Sequence, residues 1–469
     1  MKHKHVVCTV SILAVAGLLT WAYAAFWRPP KPQVQRNVLL ITLDTTRADH
    51  LGCYGYRLPT SPQIDQLAAE SVLFDKAIAQ AAVTPVSHAS MLTGLDPYHH
   101  GLRVLHGLVN NRLGEKQLTV AEVWQQAGGQ TAGFVSAFPA GSNFGLAQGF
   151  EHFDERFPQS DGDGLVEHDG VVNTGRSQRR AVHTTAAAIQ WLDDRVEQDR
   201  PFLMWVHYFD PHDASLRPPD EFTKAHLKEF EPSTKTPADI LRTIYDVEVR
   251  YMDTYVGELL NAIKQRGLWD NTIVMLTADH GEGLGDHDWW SHGILYQEQI
   301  RVPMLVKVPG VPGGSRVPSL VRTTDLMPTI LEAAGLPAAK HPPTDGESLL
   351  DCLRSGRTSE PRFAYSDSVN MLGYGRPDKE HDEKFDKLYC LMNETHKLIY
   401  HQLKPDEIEF YDLSSDPGEQ HNLAATKPES MQHLLQRLNS LNAFSDILPG
   451  MTPSDQERAN KLKSLGYVE

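Results

Sequence analysis

The chain has 469 residues, of which 41% are hydrophobic and 22% charged, a balance that is ordinary for a folded globular protein. Its 60 acidic and 44 basic side chains give a net charge of −16, which disfavours a general nucleic-acid binder because the phosphate backbone would repel it. The length predicts one large domain with a smaller appendage rather than a single small core.

The first thirty residues carry the features of an export segment. Lys2 and Lys4 precede an apolar run from Val6 to about Phe26, and the small residues Ala22 to Ala24 offer a cleavage site. This pattern is typical of a secretory signal peptide. The run is also long enough, at about 20 residues, to cross a bilayer, so an uncleaved membrane anchor is the alternative. Either form predicts a chain that is exported to the periplasm or the exterior, or is held at the membrane facing outward.

Strands and helices alternate along most of the remaining chain. The continuous apolar run Asn37 to Leu43 is typical of a buried parallel strand. A helix is predicted after it, with Ser61 as its cap and Pro62 as its first residue. Further strands are predicted in TAGFVSA, PFLMWVHYF, NTIVMLTADHG and VPMLVKVPG, and further helices in LTVAEVWQQAGG, RRAVHTTAAAIQWLDDRV and about Ala238 to Arg266. This alternation predicts an α/β fold with a mostly parallel central sheet and helices on both faces.

The pattern changes after about Pro342. KLYCLM and HKLIYH resemble a hairpin, EFYDLSSDPGEQHN a strand and turn, and SMQHLLQRLNSL a helix. We therefore predict a main domain over residues 36–340 and a small C-terminal α+β subdomain over residues 341–469. The four cysteines form neither a disulfide framework nor a metal spacing. A bridge between Cys352 and Cys390 stays open, although buried or free thiols are the favoured interpretation.

Polar side chains follow the predicted strands at the points where these strands end. Asp44 follows the first strand, and Asp279 and His280 follow the strand NTIVMLTA. Reactive groups in such sheets collect beyond the carboxyl ends of the strands. Carboxylates and imidazoles together suit Mn²⁺, Zn²⁺ and similar ions. The two strand ends therefore predict a divalent-metal site, and salt-bridged loop carboxylates are the alternative.

The stretch AAVTPVSHASMLTG carries a threonine just before a predicted helix. The N-terminus of a helix favours an anion because its free N–H groups and its dipole point there. A metal lowers the pKa of a bound hydroxyl, so Thr84 could be both a nucleophile and a metal ligand. Taken alone, Thr84 is more commonly interpreted as a helix cap.

Three histidines and two tryptophans complete the candidate set. His207 and His212 follow a predicted strand in VHYFDPHD, and His292 lies in WWSHG. A lone histidine is usually a structural donor, but one that lies beside a leaving oxygen can act as a general acid. Trp289 and Trp290 would stack on a sugar or an aryl group at the mouth of a site, or would simply pack.

Six stretches, taken together and in this order, resemble the sulfatase family of the alkaline phosphatase superfamily. They are NVLLITLDTTRADHLGCYG, TPVSHASMLTGLDPYHHG, HYFDPHD, TADHGEGLGDH, YQEQIRVPMLV and EFYDLSSDPGEQHNL. The resemblance runs from about residue 36 to the C-terminal end. It implies an alkaline-phosphatase-like α/β fold, a bound divalent metal, and hydrolysis or transfer of a sulfate or phosphate ester through a covalent enzyme intermediate.

The chain also departs from the pattern of sulfatases that use formylglycine. Those enzymes carry Cys or Ser followed by x-Pro-x-Arg, where this chain has Thr84 and, in place of the arginine, His88. Threonine is a secondary alcohol and cannot be oxidised to the formylglycine aldehyde. The paired N-terminal aspartates of the family become Asp44 and Thr45, so one metal ligand is lost. The usual Asp-Asn becomes Asp279-His280, the Lys-x-His motif is absent, and the later lysine aligns with His292.

These departures resemble the threonine-nucleophile branches of the superfamily, such as phosphodiesterases, phosphonate monoester hydrolases and lipoteichoic acid synthases. The resemblance implies that Thr84 is the nucleophile, that His212 and His292 bind the ester oxygens or protonate the leaving group, and that His88 orients the site. One metal ion is expected, with Mn²⁺ or Zn²⁺ favoured over Ca²⁺ or Mg²⁺. Its expected ligands are Asp44, Thr84, Asp279 and His280. The expected substrate contacts are His207, Trp289 and Trp290.

The sequence therefore predicts an exported, metal-dependent hydrolase or transferase for a phosphoester or phosphonoester. Its expected partner is a small-molecule, glycan or lipid ester, with no nucleic acid and with membrane attachment through the N-terminal segment as an open alternative. Two other functions stay open. The first is a sulfuric ester hydrolase that works without formylglycine or, less favoured, converts Ser87. The second is a non-catalytic exported binding protein.

Overall fold

The computed structural model describes residues 33–105, 108–109, 112–157, 167–168, 171–172, 178–195, 197–212, 216–230, 236–371 and 385–444. The export segment predicted over residues 1–30 lies outside these residues and stays a prediction. Within the described part of the chain, the helices are all too short or too polar to cross a membrane.

A large central sheet forms the core of the main domain. Its strands are β1 Asn37–Leu43, β2 Val72–Ile78, β3 Gln130–Val135, β4 His152–Asp154, β5 Phe202–Tyr208, β6 Thr272–Ala278, β7 Arg301–Val302, β8 Met304–Lys307 and β9 Ser315–Arg322. Their order is β7-β2-β8-β6-β1-β5-β3-β4, and β9 pairs with β2. The pairs β1–β6, β1–β5, β3–β5, β3–β4 and β2–β9 are parallel, while β8 is antiparallel to β6 and β2, and β7 to β2. The predicted mostly parallel sheet is confirmed.

Helices alternate with the strands along the chain. They are α1 Pro62–Ala69, α2 Thr84–Thr93, α3 Pro97–His100, α4 Val120–Gln126, α5 Ala181–Asp194, α6 Asp220–Phe230, α7 Pro237–Gln265, α8 Gln297–Ile300, α9 Leu326–Ala333, α10 Leu350–Ser355 and α11 Glu429–Ser440. All seven residues of β1, of β5 and of β6 are buried. Because successive strand residues point to opposite faces, both faces of the sheet are covered at its centre.

The start of α1 differs from the sequence prediction. Ser61 does precede the helix, but its hydroxyl donates to Asp65 at 3.0 Å rather than accepting an N–H of the first turn. The carboxylate of Asp253, from α7, accepts the backbone N–H groups of Gln63 at 3.1 Å and Ile64 at 2.8 Å instead. A distant carboxylate thus satisfies the donors that a local cap was expected to satisfy.

The C-terminal subdomain is built on a four-stranded antiparallel sheet in the order β10-β11-β12-β13. These strands are β10 Ala364–Met371, β11 Phe385–Met392, β12 His396–His401 and β13 Glu409–Asp412. The predicted hairpin is the pair β11–β12. One face packs on α11 through Leu434 and Leu438, and the other meets Ile78 and Trp289 of the main domain. The subdomain is therefore held to the main sheet by an apolar interface.

The described cysteines are unpaired with one another, and the segment before β10 packs on the main domain. Cys53, Cys352 and Cys390 are free thiols. Cys352 lies in α10 and packs in the core of the main domain. Cys390 packs with Ile78 and Trp289 in the apolar cluster between the main domain and the C-terminal sheet, here called the interface cluster. The bridge that the sequence left open does not form. The predicted boundary near residue 341 stays a prediction, although α10, which follows it, packs with the main core.

One histidine makes the stability of the C-terminal subdomain depend on pH. His401 lies between Asp386, at 2.8 Å from Nδ1, and Glu409, at 2.9 Å from Nε2, and these carboxylates outweigh its burial and raise its pKa to about 9. A raised histidine pKa stabilises the folded state below the unfolded value of 6.5, and this stabilisation is lost as the pH rises through 9. We expect the free energy of unfolding to fall by roughly 3 kcal/mol over this range. Denaturant unfolding at several pH values should show a flatter profile for His401→Gln, and an equally steep one would contradict this assignment.

Candidate active site

The carboxyl ends of β1 and β6 bring the predicted metal ligands together. The two strands are parallel neighbours, with Leu43 opposite Ala278, so Asp44 and Asp279 follow them side by side. The ligand atoms of Asp44, Asp279 and His280 all lie within 4.8 Å of one another. All three side chains are fully buried. The strand-end prediction therefore assembles one compact cluster.

Thr84 lies at the same point, at the beginning of α2. The residue before it, Val83, has an extended backbone, so Thr84 is the first helical residue and not the cap. Its hydroxyl donates to Asp44 Oδ2 at 3.2 Å, and Thr84 Oγ1 lies 3.2 Å from His280 Nε2. The threonine hydroxyl is thus directed into the carboxylate–imidazole cluster, at a helix terminus suited to an anion.

The hydrogen bonds of the cluster indicate which atoms are ready to bind a cation. His280 Nδ1 donates to the Gly281 carbonyl at 2.9 Å, so its Nε2 presents a lone pair toward Thr84. Asp279 Oδ1 accepts the backbone N–H groups of Thr45 and His280. Asp44 Oδ1 and Asp279 Oδ2 are buried and have no hydrogen-bond partner among the described residues. Two such oxygens beside an imidazole lone pair fit a divalent cation.

The pKa directions in the cluster agree with this assignment. Burial raises the pKa of Asp44 well above its usual value, and the nearby charge of Asp279 raises it further. Burial also raises the pKa of Asp279, while His88 opposes that shift. Burial lowers the pKa of His280 to about 4, so the imidazole is neutral at pH 7. Two crowded carboxylates are costly without a compensating positive charge, and a divalent cation would supply it.

His207 is hydrogen-bonded to the carboxylate of Asp44. Its Nδ1 accepts the backbone N–H of Ser136 at 3.4 Å, and its Nε2 donates to Asp44 Oδ2 at 3.1 Å. The side chain is completely buried. The substrate contact predicted for His207 is therefore replaced by a contact with a candidate metal ligand, which His207 orients.

His88 supports the nucleophile position in a similar way. Its Nδ1 donates to the Thr84 carbonyl at 2.8 Å, and its Nε2 accepts from the Thr42 hydroxyl at 3.0 Å. Thr42 in turn accepts the indole N–H of Trp205 at 2.9 Å. His88 is therefore bonded to the backbone of Thr84, and the orienting role that the sequence suggested for it stays a prediction.

His212 and His292 meet beside His280. His292 Nδ1 donates to the Ala82 carbonyl at 2.9 Å, and His292 Nε2 lies 3.1 Å from His212 Nε2. The ring of His212 stacks on Phe209 with 4.3 Å between centroids, and the ring of His292 lies 4.5 Å from that of His280. Burial lowers the pKa of both, to about 3 for His292. The pair is neutral and shares one proton between its Nε2 atoms.

The two tryptophans behave differently from each other. Trp289 is 2% exposed, packs in the interface cluster, and donates its indole N–H to the His292 carbonyl at 3.2 Å. For Trp289 the packing alternative is therefore the one observed. Trp290 is partly exposed and packs against Gly285, which has a φ of +88° and no room for a side chain. A substrate contact by Trp290 stays a prediction.

Glu282 and Tyr245 were missed by the sequence analysis, and Thr45 was considered there only as the position of a lost metal ligand. Glu282 is buried, which raises its pKa to about 8. Thr45 has a φ of +48°, unusual for a β-branched residue, and its hydroxyl has no partner among the described residues. Tyr245 donates to the Thr45 carbonyl at 2.8 Å and accepts the N–H of Arg47 at 2.9 Å. Glu282 stood in the glycine-rich stretch after β6, but Tyr245 is 200 residues from its partner and carried no signal.

Comparison with known proteins identifies the family. Residues 36–336 match the model of the family described as Sulfatase, and residues 285–443 match that of the C-terminal region of N-sulphoglucosamine sulphohydrolase. The chain belongs to the sulfatase family. Iduronate 2-sulfatase of Mus musculus is 28% identical over 431 aligned residues, which cover 72% of this chain and 78% of that protein.

Two solved structures share the sulfatase fold of this chain. A protein solved in complex with its substrate D-glucosamine-2-N,6-O-disulfate superposes with a TM-score of 0.68 at 22% identity, covering 87% of this chain and 97% of its own. The phosphonate monoester hydrolase of Agrobacterium radiobacter superposes with a TM-score of 0.68 at 21% identity, covering 87% and 95%. The predicted alkaline-phosphatase-like fold is confirmed, and this sulfatase-family protein is a hydrolase of sulfate or phosphate esters.

Proposed function

We propose that this protein cleaves a phosphate or phosphonate ester through a covalent intermediate on Thr84. The observation that carries the proposal is the Thr84 hydroxyl, which lies 3.2 Å from both Asp44 Oδ2 and His280 Nε2 at the first residue of a buried helix. An ordinary alcohol there suits phosphoryl transfer, since a phosphothreonine can be attacked by water or by an acceptor alcohol. A sulfated threonine lacks the elimination route that releases sulfate from an aldehyde hydrate.

The candidate cation ligands are Asp44, Thr84, Asp279 and His280. A divalent cation held there, with Mn²⁺ or Zn²⁺ favoured by the imidazole, would lower the pKa of the Thr84 hydroxyl and polarise the ester. Thr84 donates its hydroxyl proton to Asp44 Oδ2, its hydrogen-bond acceptor. His207 holds that carboxylate in place, and His88 holds the Thr84 backbone.

The bond-making steps follow from these contacts. Thr84 Oγ1 attacks phosphorus, the bond from phosphorus to the leaving oxygen breaks, and the leaving oxygen accepts a hydrogen bond from the neutral His212–His292 pair while it takes a proton from solvent water. Water then attacks the phosphothreonine and releases its proton to the solvent. The bond from phosphorus to Oγ1 breaks, and Thr84 recovers its proton from Asp44. An acceptor alcohol in place of water would make the reaction a transfer.

A panel of esters tests this proposal directly. The purified protein is stripped of metal, reloaded with Mn²⁺, Zn²⁺, Mg²⁺ or Ca²⁺ singly, and assayed on the nitrophenyl sulfate, phosphate monoester, phosphate diester and phosphonate. We expect metal-dependent turnover of the diester or the phosphonate. Dominant turnover of the sulfate would overturn the assignment of the ester class. Absence of metal binding would favour the non-catalytic binding protein.

Sulfate ester hydrolysis is the second candidate, because the relatives are sulfatases that act on glycan or small-molecule sulfates by name. The remaining route to formylglycine in this chain would be Ser87. The Ser87 hydroxyl, however, donates to the Asp279 carbonyl at 2.7 Å and is fully buried in α2. This bond favours a structural serine.

Ser87→Ala separates these two candidates. We expect turnover within about tenfold of the unmodified protein, since one neutral buried hydrogen bond contributes about 1 kcal/mol. Mass spectrometry of the peptide that contains Ser87 should show an unmodified serine. A loss of several orders of magnitude, together with a mass that matches formylglycine, would support the sulfatase candidate instead.

We also propose that the reaction takes place outside the cytoplasm, on a small-molecule, glycan or lipid ester. The support is the basic and apolar N-terminal segment, with its small-residue cleavage site. N-terminal sequencing of the protein recovered from extracytoplasmic and membrane fractions would distinguish a cleaved signal peptide from an anchor. Recovery of the intact chain from the cytoplasm alone would contradict export.

A further inference from the structure

The loop that carries His292, residues 287–297, makes several hydrogen bonds with the C-terminal subdomain, of which three lie at its beginning, directly after His292 and at its end. His287 Nε2 donates to the Glu419 carbonyl at 3.2 Å, at the beginning of the loop. The Ser368 hydroxyl donates to the Gly293 carbonyl at 2.8 Å, directly after His292. The backbone N–H of Gln297 donates to Glu419 Oε2 at 2.6 Å, at the end of the loop. Two of the three contacts are made by Glu419.

Glu419 is an unusual residue for a surface turn. It is 2% exposed and has a φ of +54°, in the left-handed region that non-glycine residues rarely occupy. Its Oε1 lies 2.7 Å from Lys397 Nζ, and both side chains are completely buried. A buried ion pair brings little net stability, because desolvation offsets the attraction. Strain and buried charge kept together point to a functional constraint rather than to packing.

The main domain also holds this loop, since the Gly283 N–H donates to the Ser291 carbonyl at 2.9 Å and the Ile294 N–H donates to Gln299 Oε1 at 2.9 Å. The imidazole of His292 bonds to the Ala82 carbonyl, but Trp289, which bonds to the His292 carbonyl, belongs to the same loop. Tyr296, near the end of the loop, donates to Glu409 of the C-terminal sheet at 2.7 Å. The C-terminal subdomain therefore contacts both ends of the loop, in addition to the contacts that the main domain makes with it.

We propose that Glu419, secured by Lys397, is a positioning residue that sets His292 against His212 and the reacting ester. The inference rests on the proposed function only in assigning the ester to His292. Glu419 lies in the motif EFYDLSSDPGEQHNL, which the sequence analysis used only for the family resemblance. Under this proposal the motif has a role in positioning an active-site residue. The C-terminal subdomain is then a part of the catalytic apparatus rather than an appendage.

Two double variants of the full chain separate the hydrogen-bond acceptor at position 419 from the buried charges of Glu419 and Lys397. Lys397→Met with Glu419→Gln removes both buried charges and keeps an oxygen that can accept the Gln297 N–H. Lys397→Met with Glu419→Leu removes the charges and the acceptor. We expect the glutamine form to keep kcat within a few-fold. The leucine form should lose about 10- to 100-fold in kcat with little change in KM, as small displacements of catalytic groups do. The loss should be larger for esters with poor leaving groups.

A second readout does not depend on turnover. The imidazole ¹⁵N resonances of His292, assigned with His292→Gln, should move in the leucine form and stay in the glutamine form. Metal affinity should be equal in both. If the proposed function is wrong, none of the forms would turn over the esters, but the same pattern of His292 shifts would still be observed. The positioning role would be overturned if the leucine form showed the His292 resonances of the unmodified protein and the same dependence of kcat on the leaving group.

Two further variants control for misfolding and for effects that any substitution in the C-terminal subdomain would have. Ser368→Ala removes only the contact with Gly293 and should give a smaller shift of the same His292 resonances with the fold intact. Glu407→Gln changes an exposed glutamate of the same subdomain that pairs only locally, with Lys404. It should leave kcat, KM and the resonances unchanged. An equal effect of Glu407→Gln and of the leucine form would also overturn the proposal.

Discussion

Thr84→Ala is expected to lower kcat/KM on the best ester by at least about 10³-fold, because it deletes the nucleophile of residues that act as a unit. The hydroxyl that disappears is the one that contacts both Asp44 and His280. Binding of the metal and of an unreactive oxyanion should survive, since most of the ligand set remains. The rates are measured at saturating metal, and metal binding is measured by calorimetry on the same preparations.

Two matched variants support the interpretation of Thr84→Ala. Thr84→Ser keeps a hydroxyl at the first residue of α2 and should retain much of the activity. Thr93→Ala changes a threonine at the other end of the same helix, whose hydroxyl donates to the Ala89 carbonyl, and should leave kcat/KM unchanged. A rapid-quench experiment should trap a phosphorylated Thr84 peptide. Retention of a tenth or more of the activity in Thr84→Ala would refute the covalent mechanism.

Asp279→Asn is expected to have opposite effects on metal affinity and on the stability of the metal-free protein. Metal affinity should fall by more than about 100-fold, because changes outside the ligand shell already cost 10- to 100-fold. The metal-free protein should gain stability, measured as a higher free energy of unfolding. The gain arises because the variant relieves the charge repulsion that, together with burial, raises the pKa of Asp44.

The pH dependence of the metal-free protein checks the same cluster. Both aspartates have folded pKa values above the ordinary value of 3.8, so the folded state binds protons more tightly than the unfolded state. The contribution of this pair to stability is therefore fully present below about pH 4 and is lost as the pH rises through the folded pKa values. Asp279→Asn should flatten this fall, and saturating metal should reverse it. Thermal unfolding with and without Mn²⁺ measures both effects, and equal stabilisation of the two proteins by Mn²⁺ would contradict the ligand assignment.

Much of the metal cluster was predictable, because its members stand next to strands that are recognisable from local pattern. Runs such as Asn37–Leu43 and Thr272–Ala278 are apolar throughout, and the ends of neighbouring parallel strands meet at one edge of a sheet. Asp44 and Asp279 were therefore expected at the same edge of the sheet, and the pairing of β1 with β6 brings them side by side. The same reasoning could not assign a role to Thr84, since a helix start is equally suited to a cap and to a nucleophile.

Tertiary contacts decided the remaining roles. Ser61 had the right position for a cap, yet Asp253, about 190 residues away, accepts the helix N–H groups instead. Trp289 was a candidate at the mouth of the site until its burial against the C-terminal sheet assigned it to packing. His207 was a candidate for the substrate until its hydrogen bond to Asp44 assigned it to the support of a ligand.

The sequence by itself determined the α/β fold, the family and the chemical types gathered at the strand ends, because hydrophobic periodicity and covalent adjacency are local properties. The tertiary structure alone decided which nitrogen of each histidine carries its proton, which carboxylate oxygens are left without a partner, and how Glu419 reaches the loop of His292. These features depend on burial and on partners that are distant in the chain. Only the folded chain brings such partners within hydrogen-bonding distance.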